Sequence, residues 1–246
     1  LVGVGGVGKT RLALEVAHRV ADRFHIVALV DLAPVTDSRG VTRAVAVALR
    51  VPVGEKDAMI SGIVRALRVR DVLVVLDNCE HVLDALAGLV DAVTCGMSGG
   101  RVLATSREPI GVEGEQRWPV QPLGEAHAVE LFVARAYATR PGFQLGLSDR
   151  QLLGELCRRL DGLPLAIELA AARVGHLSLL ELVQHLDDRF PLLAPGRPRG
   201  HPRSRTLEAT MEWSYSLLDA DEQRLLRAGS IFAGGFTLEF LAGVTK

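Results

Sequence analysis

The opening stretch "LVGVGGVGKT" constrains this chain more than any other part of it. It fits two nucleotide-binding patterns at once. Gly3, Gly5 and Gly8 spell G-x-G-x-x-G, the turn of a dinucleotide-binding βαβ unit, and Asp31 closes the next apolar run where such a unit keeps its ribose-binding acid. Gly3, Gly8, Lys9 and Thr10 spell G-x-x-x-x-G-K-[ST], the phosphate loop of nucleoside triphosphatases. Both patterns run from a buried strand through a glycine turn into a helix, so an α/β layout is set at once.

Lys9 and Thr10 decide between the two. In a phosphate loop, glycines let backbone N–H groups curl around a β-phosphate at the positive end of the following helix. The lysine then reaches the β- and γ-phosphates, and the threonine hydroxyl ligates Mg²⁺. A dinucleotide has neither a terminal triphosphate nor a metal to occupy that pair. The candidate nucleotide-binding residues are therefore Gly3, Gly5, Gly6, Val7, Gly8, Lys9, Thr10 and Arg11. "VLVVLDN" adds Asp77 at the C-terminal end of a buried strand, where a carboxylate holds Mg²⁺ through its water shell. Candidate metal residues are thus Thr10 and Asp77. "RVLATSREP" ends a further strand in Thr105, Ser106 and Arg107, which read either as groups facing a γ-phosphate or as an ordinary solvated turn.

The pattern predicts an α/β fold with a parallel sheet, helices on both faces, and further helical units after it. Strands are expected at 1–4, 26–32, 72–76, 101–104 and 117–120, with helical stretches between them, the first from Lys9 to Val20. Beyond "PVQPL" the strand signal stops, and helices are expected over 124–140, 149–160, 163–175 and 178–188. The expected units are a nucleotide-binding domain over 1–122, a small helical domain over 123–190 and a linker over 191–205. A further domain begins at 206 and is incomplete at 246. The linker, "PLLAPGRPRGHPRSR", has four prolines and few apolar residues. In the last unit Asp219, with Glu222 three residues on, reads as a helix cap.

Composition narrows the function classes. The 246 residues are 48 % hydrophobic, with 4 % aromatic and a formal net charge of -1, which suits a core of Val, Leu, Ile and Ala. A charge so near zero argues against a chain that grips nucleic acid over its whole surface. Arg197, Arg199, Arg203 and Arg205 lie in the linker without interleaved aromatics, a poor footprint for DNA. Cys79, Cys95 and Cys157 have no metal-ligand spacing and are expected as free thiols of a reducing compartment. No apolar run approaches the roughly 18 residues of a membrane span, and no secretory pattern is present, so a cytoplasmic location is expected. The chain starts with Leu inside a strand pattern and reads as part of a longer protein.

Taken together, "GVGGVGKTRLALEVA", "VLVVLDNCEHV", "VLATSREPI", "VQPL" and "LDGLPLAIELAAARV" follow one another as they do in the NB-ARC class of signal-transduction ATPases, the STAND proteins. The chain resembles the ATPase module of large bacterial transcriptional regulators. "TLEATMEWSYSLLDADEQRLLRAGSIFAGGFTLE" resembles the start of the winged-helix domain that follows in the family. The resemblance implies ATP or ADP with Mg²⁺ as ligands, and Lys9, Asp77 and Arg107 as the catalytic set. Arg107 would be the sensor arginine after the fourth strand, and Pro164 would pack near the adenine. It also implies self-association on activation, and DNA contact only through domains outside these residues. One position departs from the pattern: the residue after Asp77, which would be the Walker B acid, is commonly acidic in plant and animal relatives and is Asn78 here. An amide cannot act as a general base, which favours slow hydrolysis and a switch over fast turnover. Glu80 lies nearby but is expected out of phase to replace it. The competing readings are a turnover ATPase or kinase and a nucleic-acid-binding module.

Overall fold

A computed structural model describes residues 1–69, 71–94, 100–143, 145–146, 149–189 and 218–232, with the single positions 211, 215, 237 and 243. Cys95, the linker arginines and most of the expected winged-helix segment lie outside the described residues. The chain divides into two compact units, Leu1–Gln121 and Pro122–Lys246.

In the first unit the strands β1 (Ile26–Asp31), β2 (Val72–Asp77) and β3 (Arg101–Ala104) form a parallel sheet in that order. All six residues of β2 are buried, because an apolar run without alternation has no face to offer water. Val72, Val74 and Leu76 pack with the helices α2 (Ser38–Ala48), α3 (Lys56–Val69) and α4 (Leu83–Thr94), through residues such as Val45, Ile63 and Leu86. On the opposite face Leu73 and Val75 meet Ala13 and Ala17 of α1, which runs from Lys9 to Arg19. The register pairs Asp31 with Asp77, so both acids stand at the C-terminal edge of the sheet.

The expected strands at 1–4 and 117–120 are reduced to parallel bridges of Val2 with Ser106 and with Pro119. Proline has no N–H for a ladder, which limits pairing there. Even so, Leu1–Gly3 is held on both sides. Ser106 N donates to Leu1 O at 3.1 Å and Gly3 N to Ser106 O at 3.2 Å. Across the other edge Val2 N donates to Trp118 O at 2.9 Å and Val120 N to Val2 O at 2.8 Å. The order across the sheet is therefore 118–120, 1–3, β3 with its continuation to Ser106, β2, β1. Two strands separate the glycine-loop strand from β1, placing Asp31 roughly 14 Å away at normal strand spacing. In a dinucleotide fold the acid sits on the neighbouring strand, so this order rules that reading out.

In the second unit α5 (Glu125–Thr139), α6 (Asp149–Arg159), α7 (Pro164–Ala171) and α8 (Leu179–Arg189) pack through Phe132, Leu153, Leu156, Ile167 and Leu182, all fully buried. Arg135 Nε donates to Glu168 Oε1 at 3.0 Å and ties α5 to α7. The turn between α6 and α7 places Asp161 at φ 52° and Gly162 at φ 63°, and Pro164 opens α7 in its first turn. Gly162 O accepts from Leu123 N at 2.9 Å, so the two backbones run close together. A Cβ at Gly162 would stand 2.3 Å from Leu123 O. Further on, α9 (Ala220–Gly229) has the expected capping box: Asp219 Oδ1 accepts from Glu222 N at 2.8 Å, and Glu222 Oε2 from Asp219 N at 2.9 Å.

Two outcomes follow from this packing. Gly162→Ala forces both a left-handed backbone and a clash with a carbonyl, and should destabilise the second unit by about 2 kcal/mol or more in a denaturant titration. Gly175→Ala has nothing within 4 Å of the new methyl group and should stay within about 0.5 kcal/mol. Burial pushes the thiols of Cys79 and Cys157 up to about 12, so their thiolate fraction at pH 8 is about 10⁻⁴. Iodoacetamide at pH 8 should leave both unmodified in the folded chain and alkylate both in denaturant, read by peptide mass spectrometry.

Candidate functional site

The glycine loop leaves the doubly paired strand at Gly3, where a Cβ would stand 2.9 Å from Val120 O. Gly6 and Gly8 then adopt φ 74° and 95°, a left-handed path that curls the chain into α1. Gly8 is the N-cap of that helix and no side chain caps it. The amides of the first turn are thus left to an incoming anion, at the positive end of the helix dipole. Among the loop residues Val7 is buried and anchors the curl, while Thr10 and Arg11 in the first turn are exposed.

Lys9 folds back over this loop. Its Nζ donates to Gly3 O at 2.9 Å and Val4 O at 3.1 Å. Burial pulls the ammonium below its ordinary value; the Glu80 carboxylate opposes that shift, and the Arg107 guanidinium adds to it. A phosphate in the loop would supply the counter-charge that the carbonyl dipoles replace here.

Beside the lysine, Thr10 Oγ1 donates to Asp77 Oδ1 at 2.8 Å. With its proton committed to the carboxylate, the hydroxyl keeps its lone pairs for a cation. That pair suits a hard, oxygen-seeking ion that takes its other ligands from phosphate and water. Among the described residues no cluster of three or more His, Cys, Asp or Glu could hold a metal without such help. Mg²⁺ bound with a nucleotide therefore fits the donor set.

The segment after β3 differs from a solvated turn. Thr105 and Ser106 are 1 % and 2 % exposed. Thr105 Oγ1 donates to Asp77 Oδ1 and accepts from Asn78 N at 3.1 Å. Ser106 Oγ accepts from Glu108 N at 3.2 Å. Arg107 projects outward, and its Nε meets Glu80 Oε1 at 3.0 Å. The other Glu80 oxygen is buried with no hydrogen-bond partner among the described residues.

Asn78 takes a left-handed conformation, φ 61°, which asparagine tolerates better than most residues. Its Nδ2 donates to Asp31 Oδ1 at 3.4 Å, and Ala33 N donates to the same oxygen at 2.9 Å. Asp31 therefore caps its own turn instead of holding a ribose. The kink at Asn78 leads into the short turn Cys79–His81 and brings Glu80 to Arg107. His81, which the sequence did not single out, places Nε2 at 3.0 Å from Leu32 O and 2.8 Å from Val35 O. Carbonyls only accept, so Nε2 carries the proton and joins the ends of β1 and β2. The structure thus brings Lys9, Thr10, Asp77 and Arg107 to one edge of the first unit. Pro164 belongs to the second unit, where it starts α7.

Among the described residues no helix is long and apolar enough to cross a membrane. The family model described as the NB-ARC domain matches residues 1–140. A Mycobacterium tuberculosis protein that bears the provisional name HTH-type transcriptional regulator is 45 % identical over 245 residues, covering 99 % of this chain and 28 % of its own length. An uncharacterized M. tuberculosis protein is 42 % identical over 241 residues, covering 97 % of this chain and 61 % of its own. The regulatory protein AfsR of Streptomyces coelicolor is 29 % identical over 246 residues, covering 92 % and 23 %. The chain thus spans about a quarter of the regulators it matches. With the family pattern lying over the glycine loop, Asp77 and Arg107, the chain belongs to the NB-ARC family of nucleotide-binding domains.

Proposed function

We propose that this chain is the ATP/ADP-binding switch module of a multidomain bacterial transcriptional regulator, hydrolysing ATP slowly. The observation that carries this reading is the Lys9–Thr10–Asp77 arrangement at the uncapped start of α1. A lysine parked on two carbonyls can transfer to a β- or γ-phosphate without a new charge being buried. The loop from Gly3 to Arg11 wraps the phosphates with its backbone. Thr10, and Asp77 through its water shell, would hold Mg²⁺, which would supply positive charge beside the phosphates. Arg107 reads the γ-phosphate when it leaves Glu80. Asn78 supplies no general base, and its amide is engaged by Asp31, which supports a long-lived bound state over rapid turnover.

Pro164, in a helical domain spanning 123–190, is a further nucleotide-binding residue of this reading, and a winged-helix domain begins at 206. Exchange of ADP for ATP permits self-association in the cytoplasm. DNA is contacted by domains outside these 246 residues.

The test is to purify the chain without added nucleotide, denature it, and identify what is released by chromatography. About one ADP per chain is expected, and Lys9→Ala should retain less than about a tenth of that. Equal retention in the variant sinks the reading. Steady-state turnover at or above about 1 s⁻¹ would favour a turnover enzyme instead.

A further inference from the structure

Thr105 makes an unusual set of bonds for a residue just past a strand end. Its N donates to Leu76 O at 2.9 Å, and its O accepts from Cys79 N at 3.0 Å. Its hydroxyl donates to Asp77 Oδ1 and accepts from Asn78 N at 3.1 Å. Every polar group of Thr105 is therefore spent on the four residues Leu76 to Cys79. The residue is 1 % exposed, and Asp77 itself is 7 % exposed.

We propose that Thr105 is a positioning residue for the metal-binding carboxylate, and that it sets the Mg²⁺ requirement of nucleotide binding. The inference rests on the nucleotide reading above. Both hydroxyl donors, from Thr10 and Thr105, meet the same oxygen, Oδ1, from two different elements. Two donors on one oxygen fix the rotation of the carboxylate, which a single donor leaves free to turn. The carboxylate plane is then set before an ion arrives, as partners behind a metal ligand do elsewhere. The same hydroxyl accepts from the amide of Asn78 and so also holds the left-handed kink that follows Asp77. Thr105 acts on the ion through Asp77, without touching nucleotide or metal.

Valine at 105 keeps the size and branching of threonine but loses the hydroxyl, whereas serine keeps the hydroxyl. Binding of the non-hydrolysable β,γ-imido analogue of ATP would be followed during a MgCl₂ titration, and again in EDTA, for the wild-type chain, Thr105→Val and Thr105→Ser. Expected is a rise of about 10- to 100-fold in the Mg²⁺ concentration needed for half-maximal binding in Thr105→Val. Thr105→Ser should match wild type, and binding in EDTA should be equal in all three. An unchanged Mg²⁺ midpoint in Thr105→Val overturns the proposal while leaving the nucleotide reading intact. A loss of equal size in EDTA also overturns it, since that marks a general distortion of the loop. A wild-type chain that binds no nucleotide in either condition fails at the earlier step and takes this inference with it. Should Thr105→Val lose its cooperative thermal transition, Thr105→Ala replaces it under the same criteria.

Discussion

The rest of the first unit depends on the two-sided burial of β2. A strand with no polar face must be covered on both sides, so α1 lies on one face and α2, α3 and α4 on the other. The run of Val and Leu ends at Asp77, which is itself buried, and its carboxylate is satisfied there by hydroxyl donors from Thr10 and Thr105. Hydrophobic packing thus sets the depth at which Asp77 sits.

Charge is then distributed around that acid with few unpaired groups. Lys9 leans on its own loop carbonyls, Arg107 is held by Glu80, and Asp77 accepts from two hydroxyls. The Arg107–Glu80 pair is partly exposed and of modest strength, so it can open without great cost. The site is held ready by weak bonds at its rim and by firm ones at its base.

Much of this was legible in the sequence, and the rest was hidden for physical reasons. The glycine loop, β2 and the cap at Asp219 show themselves because each depends on residues close together in the chain. The helices near 125–139, 149–159 and 179–189 follow from local periodicity in the same way. In "LDGLPL", the demand for glycine at 162 comes from Leu123, which the motif itself does not contain. The roles of Thr105, Glu80 and His81 depend on which strands are neighbours. Nothing within a few residues of Thr105 says that it will lie against Asp77, so its hydroxyl reads as well on a turn facing a phosphate. A regular path after Asp77 would put Glu80 out of phase with the site. The left-handed step at Asn78 alters that path, and asparagine at the end of a strand was the available signal.

That step at Asn78 bears on the neutral side chain that follows Asp77. Asn78 and Asp31 stand side by side at the ends of paired strands, and the amide donates a hydrogen bond to the carboxylate. A carboxylate in place of the amide would face Asp31 directly, with Asp77 one residue away and paired in register with Asp31. Three acids would then crowd one edge of the sheet, where like charges repel. A neutral side chain at 78 therefore suits an edge that Asp31 and Asp77 already occupy.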